Sequence, residues 1–389
     1  MNLAASLVPL RAFYFFSFGA LGAFFPFLPL LLEDRGLTAS QISWIMALLP
    51  VSGLFVPPLW GSLADTLKAR VPLLRLASVA CGLAALLLLP RWGFWGHFVA
   101  VGLLCTFRSP IISLADAVTC SALGGASVSF GRVRVWGSLG FAFFVWLLGS
   151  LHASANPGLL LWATFGIYVL SAAATLPMQR RPLQRQEGML REALGLMLTP
   201  GMVTFLLANA VYYTGHATFD AYFGLHARAL GFGDPFVGQA WTIGVSVEIA
   251  VMLVAPHVLG RVRSAQLLAL CAAAAVARWS AMSVITDGPL LLASQALHGL
   301  SFGLWYLCLV RFIQARVPER LRASLQSVTM AFMGLGMTAG YLVGGQILEH
   351  QGGHALYRHA AFAAAASLVL YLLVAWLAPP TYRVGRLKG

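Results

Sequence analysis

Apolar residues run along this chain in long blocks, and the polar positions between them recur at regular intervals. A helix needs roughly 20 residues to cross a hydrocarbon core of about 30 Å. Twelve blocks meet that length, near 8–32, 40–64, 72–90, 96–121, 135–151, 158–177, 201–227, 236–258, 264–284, 288–313, 323–349 and 359–379. The pattern predicts an all-α integral membrane protein with twelve transmembrane helices in two six-helix bundles. One polar interruption, from Arg180 to Arg191, divides the two sets. The expected organisation is an N-terminal bundle at 1–178, a linker with a short surface helix at 179–200, a C-terminal bundle at 201–380 and a tail at 381–389.

Composition agrees with this picture. The chain is 59% hydrophobic and only 10% charged, with a mean hydropathy of +0.82. Soluble chains carry about 25% charged residues. The formal charge of +13 would suit nucleic acid, but its placement argues against that. Seventeen of the 25 Lys and Arg residues, among them Lys68, Arg70, Arg132, Arg134, Arg261 and Arg263, fall on the side that holds both ends of the chain. Basic loops stay in the cytoplasm, so both termini are expected there, in the inner membrane of the cell. The basic excess then attracts anionic lipid, and no nucleic-acid partner is expected.

Other chemistry is sparse. The five cysteines (Cys81, Cys105, Cys120, Cys271 and Cys308) lie in apolar spans without metal-ligand spacing. No disulfide, metal or cofactor is expected. The glycine-rich stretches Gly131–Gly140 and Gly334–Gly345 lack the Lys-Ser/Thr ending of a phosphate loop. Small residues at four-residue spacing let membrane helices approach closely, which makes spans five and eleven the expected sliding contacts between the bundles. No nucleophile elbow or nucleotide loop is present, and no enzyme activity is expected.

The working parts are the polar residues left within the spans, because ionisable groups in hydrocarbon are costly and mark pathways. Span seven carries Tyr213, His216 and Asp220, which fall within about 60° of one another on a helix. His216 and Asp220, one turn apart, are expected to share a proton; a structural hydrogen-bonded pair is the alternative. Glu248 is alone in span eight and Arg278 alone in span nine, so they are expected to pair, for coupling or for fixing helix register. In span four, Arg108 is the candidate anchor for an anionic solute, since a guanidinium forks onto a carboxylate. Pairing with Asp116 or Asp220 is its alternative. His298, Phe302 and Trp305 share a face of span ten, and Trp305 joins Tyr213 and Arg108 as a candidate solute contact.

Several segments together resemble the major facilitator superfamily. Gly61-Ser-Leu-Ala-Asp65-Thr-Leu-Lys68-Ala-Arg70 is similar to its loop signature, without the usual glycine between the Asp and the first basic residue. Pro26-Phe-Leu-Pro29, Pro110-Ile-Ile-Ser-Leu-Ala-Asp116, Gly131-Arg-Val-Arg134-Val-Trp136-Gly-Ser-Leu-Gly140 and His298-Gly-Leu-Ser-Phe-Gly303 resemble the branch of phenylpropionate permeases, lactose permeases and nucleoside–proton symporters. The resemblance implies the major facilitator fold, with spans one, four, seven and ten lining a central path. It also implies a latch between the halves at Asp65, Lys68 and Arg70, and a coupled network in which His298 joins Glu248 and Arg278. The expected function is alternating-access symport of protons with a small organic solute, an aromatic or other small carboxylate first, a sugar or nucleoside next. An exporter or lipid flippase, or a sensor without flux, are the rivals. The partners would be the solute, protons and membrane lipid, with the protein acting as a monomer.

Overall fold

The computed structural model describes residues 3–123, 127–178, 195–258 and 262–377. Most of the predicted linker and the whole tail lie outside the described residues. Thirteen helices are labelled here in chain order: α1 Leu3–Phe24, α2 Leu28–Asp34, α3 Ala39–Thr66, α4 Arg70–Leu86, α5 Phe94–Leu123, α6 Ser127–Ser150 and α7 Pro157–Ala174. After the linker come α8 Pro200–Ala229, α9 Asp234–Val258, α10 Ser264–Met282, α11 Gly288–Ser294, α12 Trp305–Arg316 and α13 Glu319–Leu377. A wide π turn, Gly299–Leu304, precedes α12. Among the described residues there is no strand.

These pieces make twelve spans. α1 with α2 forms span one, broken at Pro26. α11, the π turn and α12 form span ten. α13 is two spans joined at Gly352, where the backbone turns left-handed (φ 81°). Nine helical stretches of the described residues are long and apolar enough to cross a membrane by length and composition. The bent α13 counts among them once. α4, at 17 residues, and the polar-studded α8 complete the set.

Helix starts follow local chemistry. Thr38 caps α3 through a reciprocal capping box with Gln41, and Asn156 and Asp287 accept from the backbone amides of Leu159 and Leu290. Proline follows at the first turn in each of α7, α8 and α11, where its missing N–H removes nothing. Helix ends repeat between halves. After span one, Gly36 (φ 83°) donates to the Glu33 carbonyl, and after span seven Gly231 (φ 88°) donates to that of Arg228. His152 and Gly352 likewise take left-handed conformations at the turns after spans five and eleven. Equivalent turns at equivalent places are the mark of a parallel repeat.

Packing follows the same repeat. α6 lies against α1 within its own half and against α9 across the middle, while α13 lies against α8 within its half and against α3 across the middle. Glycines set these distances. A Cβ at Gly140 would strike the Phe15 carbonyl, and one at Gly336 or Gly340 would strike those of Ala210 or Thr214. Across the middle, Gly149 meets Gly238, and Gly345 meets Ser43.

Candidate functional site

Span seven (α8) bends its aromatic and polar residues into the C-terminal half. His216 does not bond to Asp220, contrary to the expectation from spacing. Its Nδ1 instead donates to the Tyr212 carbonyl one turn back, at 3.2 Å. Its ring packs on Tyr212 (4.4 Å between centroids) and edge-on to Trp279 (5.3 Å). Nε2 of His216 is buried with no close hydrogen-bond partner among the described residues. Asp220 makes no hydrogen bond or ion pair among the described residues, and the charge of Arg278 acts on it through space.

Glu248, Arg278 and His298 do come together, with His298 in the middle. Arg278 is 1% exposed. It donates from Nη1 to Nδ1 of His298 at 2.8 Å and from Nη2 to Oε1 of Gln295 at 2.6 Å. An accepting Nδ1 leaves the proton of the neutral ring on Nε2, and that atom stands 3.6 Å from Oε2 of Glu248. The direct Glu248–Arg278 pair expected from the sequence is therefore absent: the imidazole occupies the gap. The guanidinium also lies over the rings of Phe219 (4.3 Å) and Trp279 (4.5 Å), a favourable place for a desolvated cation. Span eight reaches this position because span ten offers glycine: a Cβ at Gly303 would meet Glu248, and one at Gly299 would meet Val247.

Trp305 is placed differently from the expectation. It is 0% exposed, and its indole N–H donates to Tyr371, whose hydroxyl donates in turn to Asn209 (2.9 and 3.0 Å). Its ring stacks on Tyr212 at 5.4 Å. The cause is the π turn, whose i→i+5 bonding widens one turn of the helix. Phe302 remains stacked on His298 (5.1 Å, 7°), but the residues beyond it rotate away. Tyr213 is buried beside Trp305, 5.1 Å between ring centroids.

Arg108 lines a cavity of about 200 Å³ between spans one, two, four and six, with Ser17, Phe18, Leu21, Ile112 and Tyr168 among its neighbours. It has no hydrogen-bond or ion-pair partner among the described residues. Asp116 is taken by Arg134 (3.1 Å) and by the Tyr14 hydroxyl (2.6 Å). The Tyr341 hydroxyl of span eleven is buried without a hydrogen-bond partner among the described residues. At the membrane edge, Asp65 accepts from Nε and Nη2 of Arg70 at 3.0 and 2.5 Å. Lys68 occupies the left-handed position of that turn (φ 50°), so the turn forms without a glycine there. These three residues lie within the N-terminal half.

Gln295, Phe219, Tyr371, Asn209 and Tyr341 join this chemistry although the sequence reading did not single them out. Gln295 had a signal: it stands one turn before His298 on the same span. The others act through tertiary packing that spacing does not reveal.

The MFS_1 like family model matches residues 7–359. The chain belongs to that family. A maltose permease from Geobacillus stearothermophilus is 29% identical over 93% of this chain and 93% of its own length. A probable 3-phenylpropionic acid transporter from Escherichia coli strain K12 is 30% identical over 82% of this chain and 84% of its own. A crystal structure of the nucleoside transporter NupG covers 97% of this chain and 99% of its own with a TM-score of 0.81 at 17% identity, which shows the shared fold. This member of the family is thus a multi-pass membrane protein with the major facilitator architecture. Its matched relatives are membrane permeases and transporters.

Proposed function

We propose that the protein carries a small organic carboxylate across the inner membrane together with protons, by alternating access, acting as a monomer with both termini in the cytoplasm. One observation carries this reading. Arg108 and Asp220 are opposite charges on spans four and seven, one from each half, and neither has a hydrogen-bond partner among the described residues. A buried or half-buried charge without a partner is costly, so each is kept for something that comes and goes. Arg108, in a cavity with apolar walls, fits the carboxylate of a solute with a hydrocarbon or aromatic body. Asp220 fits a proton.

The chain Glu248–His298–Arg278 then supplies the switch. His298 holds a guanidinium on one nitrogen and faces a carboxylate with the other, so a change of charge on Glu248 is felt at Arg278. Arg278 in turn acts on Asp220. His216 and Tyr213 pack against this set and position it. Asp65, Lys68 and Arg70 close the terminal end in the alternate state. In the present state Asp65 and Arg70 satisfy each other within one half.

The relatives' names, a maltose permease and a phenylpropionic acid transporter, support two solute classes, and the second matches Arg108, a cation without an ion-pair partner among the described residues, in a cavity with mostly apolar lining. Purified protein in liposomes with an internal pH-sensitive dye tests this. Phenylpropionate, maltose and a nucleoside are added singly. Acidification of the lumen with phenylpropionate alone is expected. Acidification with sugar or nucleoside alone would move the reading to that solute. Radiolabel entry without acidification would remove proton coupling, efflux only would make the protein an exporter, and no flux of any compound would favour a sensor.

A further inference from the structure

A donor or acceptor buried without a partner is costly, and native interiors pair such atoms with protein or with ordered water. In the C-terminal half, four buried polar atoms have no hydrogen-bond partner among the described residues: Nε2 of His226, the Tyr357 hydroxyl, Nε1 of Trp279 and Nε of Arg278. None of these side chains is more than 2% exposed. They stand on spans seven, nine and twelve, whereas the Arg108 cavity is lined by residues of the N-terminal half.

The four side chains also touch in order. The His226 ring packs edge-on to Tyr357 at 5.1 Å, Tyr357 stacks on Trp279 at 6.0 Å, and the Arg278 guanidinium lies 4.5 Å over the Trp279 ring. At the outer end of the row, His226 meets the half-buried His354 edge-on at 5.2 Å. His354 follows the turn between spans eleven and twelve, at the end of the molecule opposite the termini. It donates from Nδ1 to the Ser283 carbonyl at 3.1 Å, which leaves its Nε2 an acceptor when the ring is neutral. Glycine makes room along the row. A carbon added at Gly353 would strike Nδ1 of His226. One added at Gly215 would stand 3.4 Å from Nε1 of Trp279 and 3.2 Å from the Ala360 carbonyl oxygen, so the bare backbone leaves space flanked by a donor and an acceptor.

We infer that a row of bound water molecules lies inside the C-terminal half, from His354 and His226 past Tyr357 and Trp279 to Arg278. Water fits because it is small and neutral, both donates and accepts, and is held firmly by about two to four polar partners. One molecule beside Gly215 accepts from Trp279 and donates to Ala360, and another joins Nε2 of His226 to the Tyr357 hydroxyl. The row ends on the guanidinium that holds His298. Under the proposed proton coupling, it brings protons to that switch from the end opposite the termini without use of the solute cavity, each water taking up one proton as it passes on another. That use rests on the proton-coupled reading; the waters themselves do not.

Radiolytic hydroxyl-radical footprinting reads bound water directly, because radicals formed from it attack the side chains it touches. In the purified protein, Trp279 and Tyr357 are expected to be oxidised. Trp305 and Tyr371, equally buried but bonded to each other, are expected to stay intact. Gly215→Ala, which fills the space beside Nε1, is expected to lose oxidation of Trp279. Tyr357→Phe keeps the ring, removes the hydroxyl and is expected to lower that oxidation too; a melt and counterflow of labelled solute report that each variant is folded. In liposomes, both variants are expected to lose most of the rate of solute-driven acidification while counterflow persists. Oxidation of Trp279 and Tyr357 no greater than that of Trp305 and Tyr371, or oxidation of Trp279 unchanged in both variants, would overturn the row of waters. Acidification at the parent rate in both variants would overturn its use by protons. A parent that takes up solute without acidification removes proton coupling, and the footprint alone then decides the waters.

Discussion

Arg108 and Lys68 show how single residues divide between function and local strain. With no hydrogen-bond or ion-pair partner among the described residues, Arg108 is the proposed anchor for the solute, and a hydrogen bond to a charged group contributes about 1.5–3 kcal/mol. Arg108→Gln is expected to weaken binding of phenylpropionate at least tenfold while leaving the thermal midpoint in detergent near that of the parent, as read by isothermal calorimetry and a melt. Equal affinity in the variant would remove Arg108 from the site. Lys68, at φ 50°, sits where an L-residue costs roughly 1–2 kcal/mol. Lys68→Gly is expected to hold or raise the midpoint, and Lys68→Val to lower it, since a β-branched side chain tolerates that conformation least. This turn was legible in the sequence as a signature lacking its glycine. That lysine itself would adopt the left-handed conformation was not, because φ at one residue is set by the bonds of the whole turn.

At the scale of the element, apolar block length located the spans, and proline and capping residues located their starts. Fifth-span length was underestimated because Arg132 and Arg134 interrupt the apolar run, yet α6 is helical from Ser127, with Arg134 turned to Asp116. Glycine spacing marked the close pairs, but only the structure says which helix each faces. Gly340 illustrates the energetics: a side chain there meets the Thr214 backbone and the Ala217 methyl, which cannot move without parting spans seven and eleven. Overpacking typically costs about 1–3 kcal/mol and more against backbone. Gly340→Leu should therefore lower the detergent melting midpoint sharply, whereas Gly61→Ala, with nothing within 4 Å of its added carbon, should leave it unchanged. Equal midpoints would mean that the two spans pack with slack.

For the whole molecule, the candidate site spans both halves, and its residues were legible to different degrees. Glu248, Arg278 and His298 could be grouped from their isolation in apolar helices. Their order could not, because the interposed imidazole depends on how closely Gly303 admits span eight. His216 and Asp220 were misjoined for a related reason: spacing of four puts two side chains near each other, but a histidine ring can instead turn back to the helix carbonyl one turn earlier, as His216 does to Tyr212. Under the proposed mechanism, proton coupling would be a property of the assembled set. Asp220→Asn is expected to abolish dye-reported acidification while counterflow of labelled solute persists, and Glu248→Gln is expected to do the same. Persistent acidification in Asp220→Asn would place the proton elsewhere.

The π turn at Gly299–Leu304 has a consequence for anyone comparing this chain with its kin. A surplus residue sits in that loop of helix, so counting by regular 100° steps through it lands on the wrong side of the rod for everything from Trp305 to Arg316. Roles borrowed by alignment from a relative that lacks this turn would carry an angular error of about 100° for that stretch. Two relatives that differ only in whether they keep the surplus residue would present different walls to the same passenger with nearly identical letters.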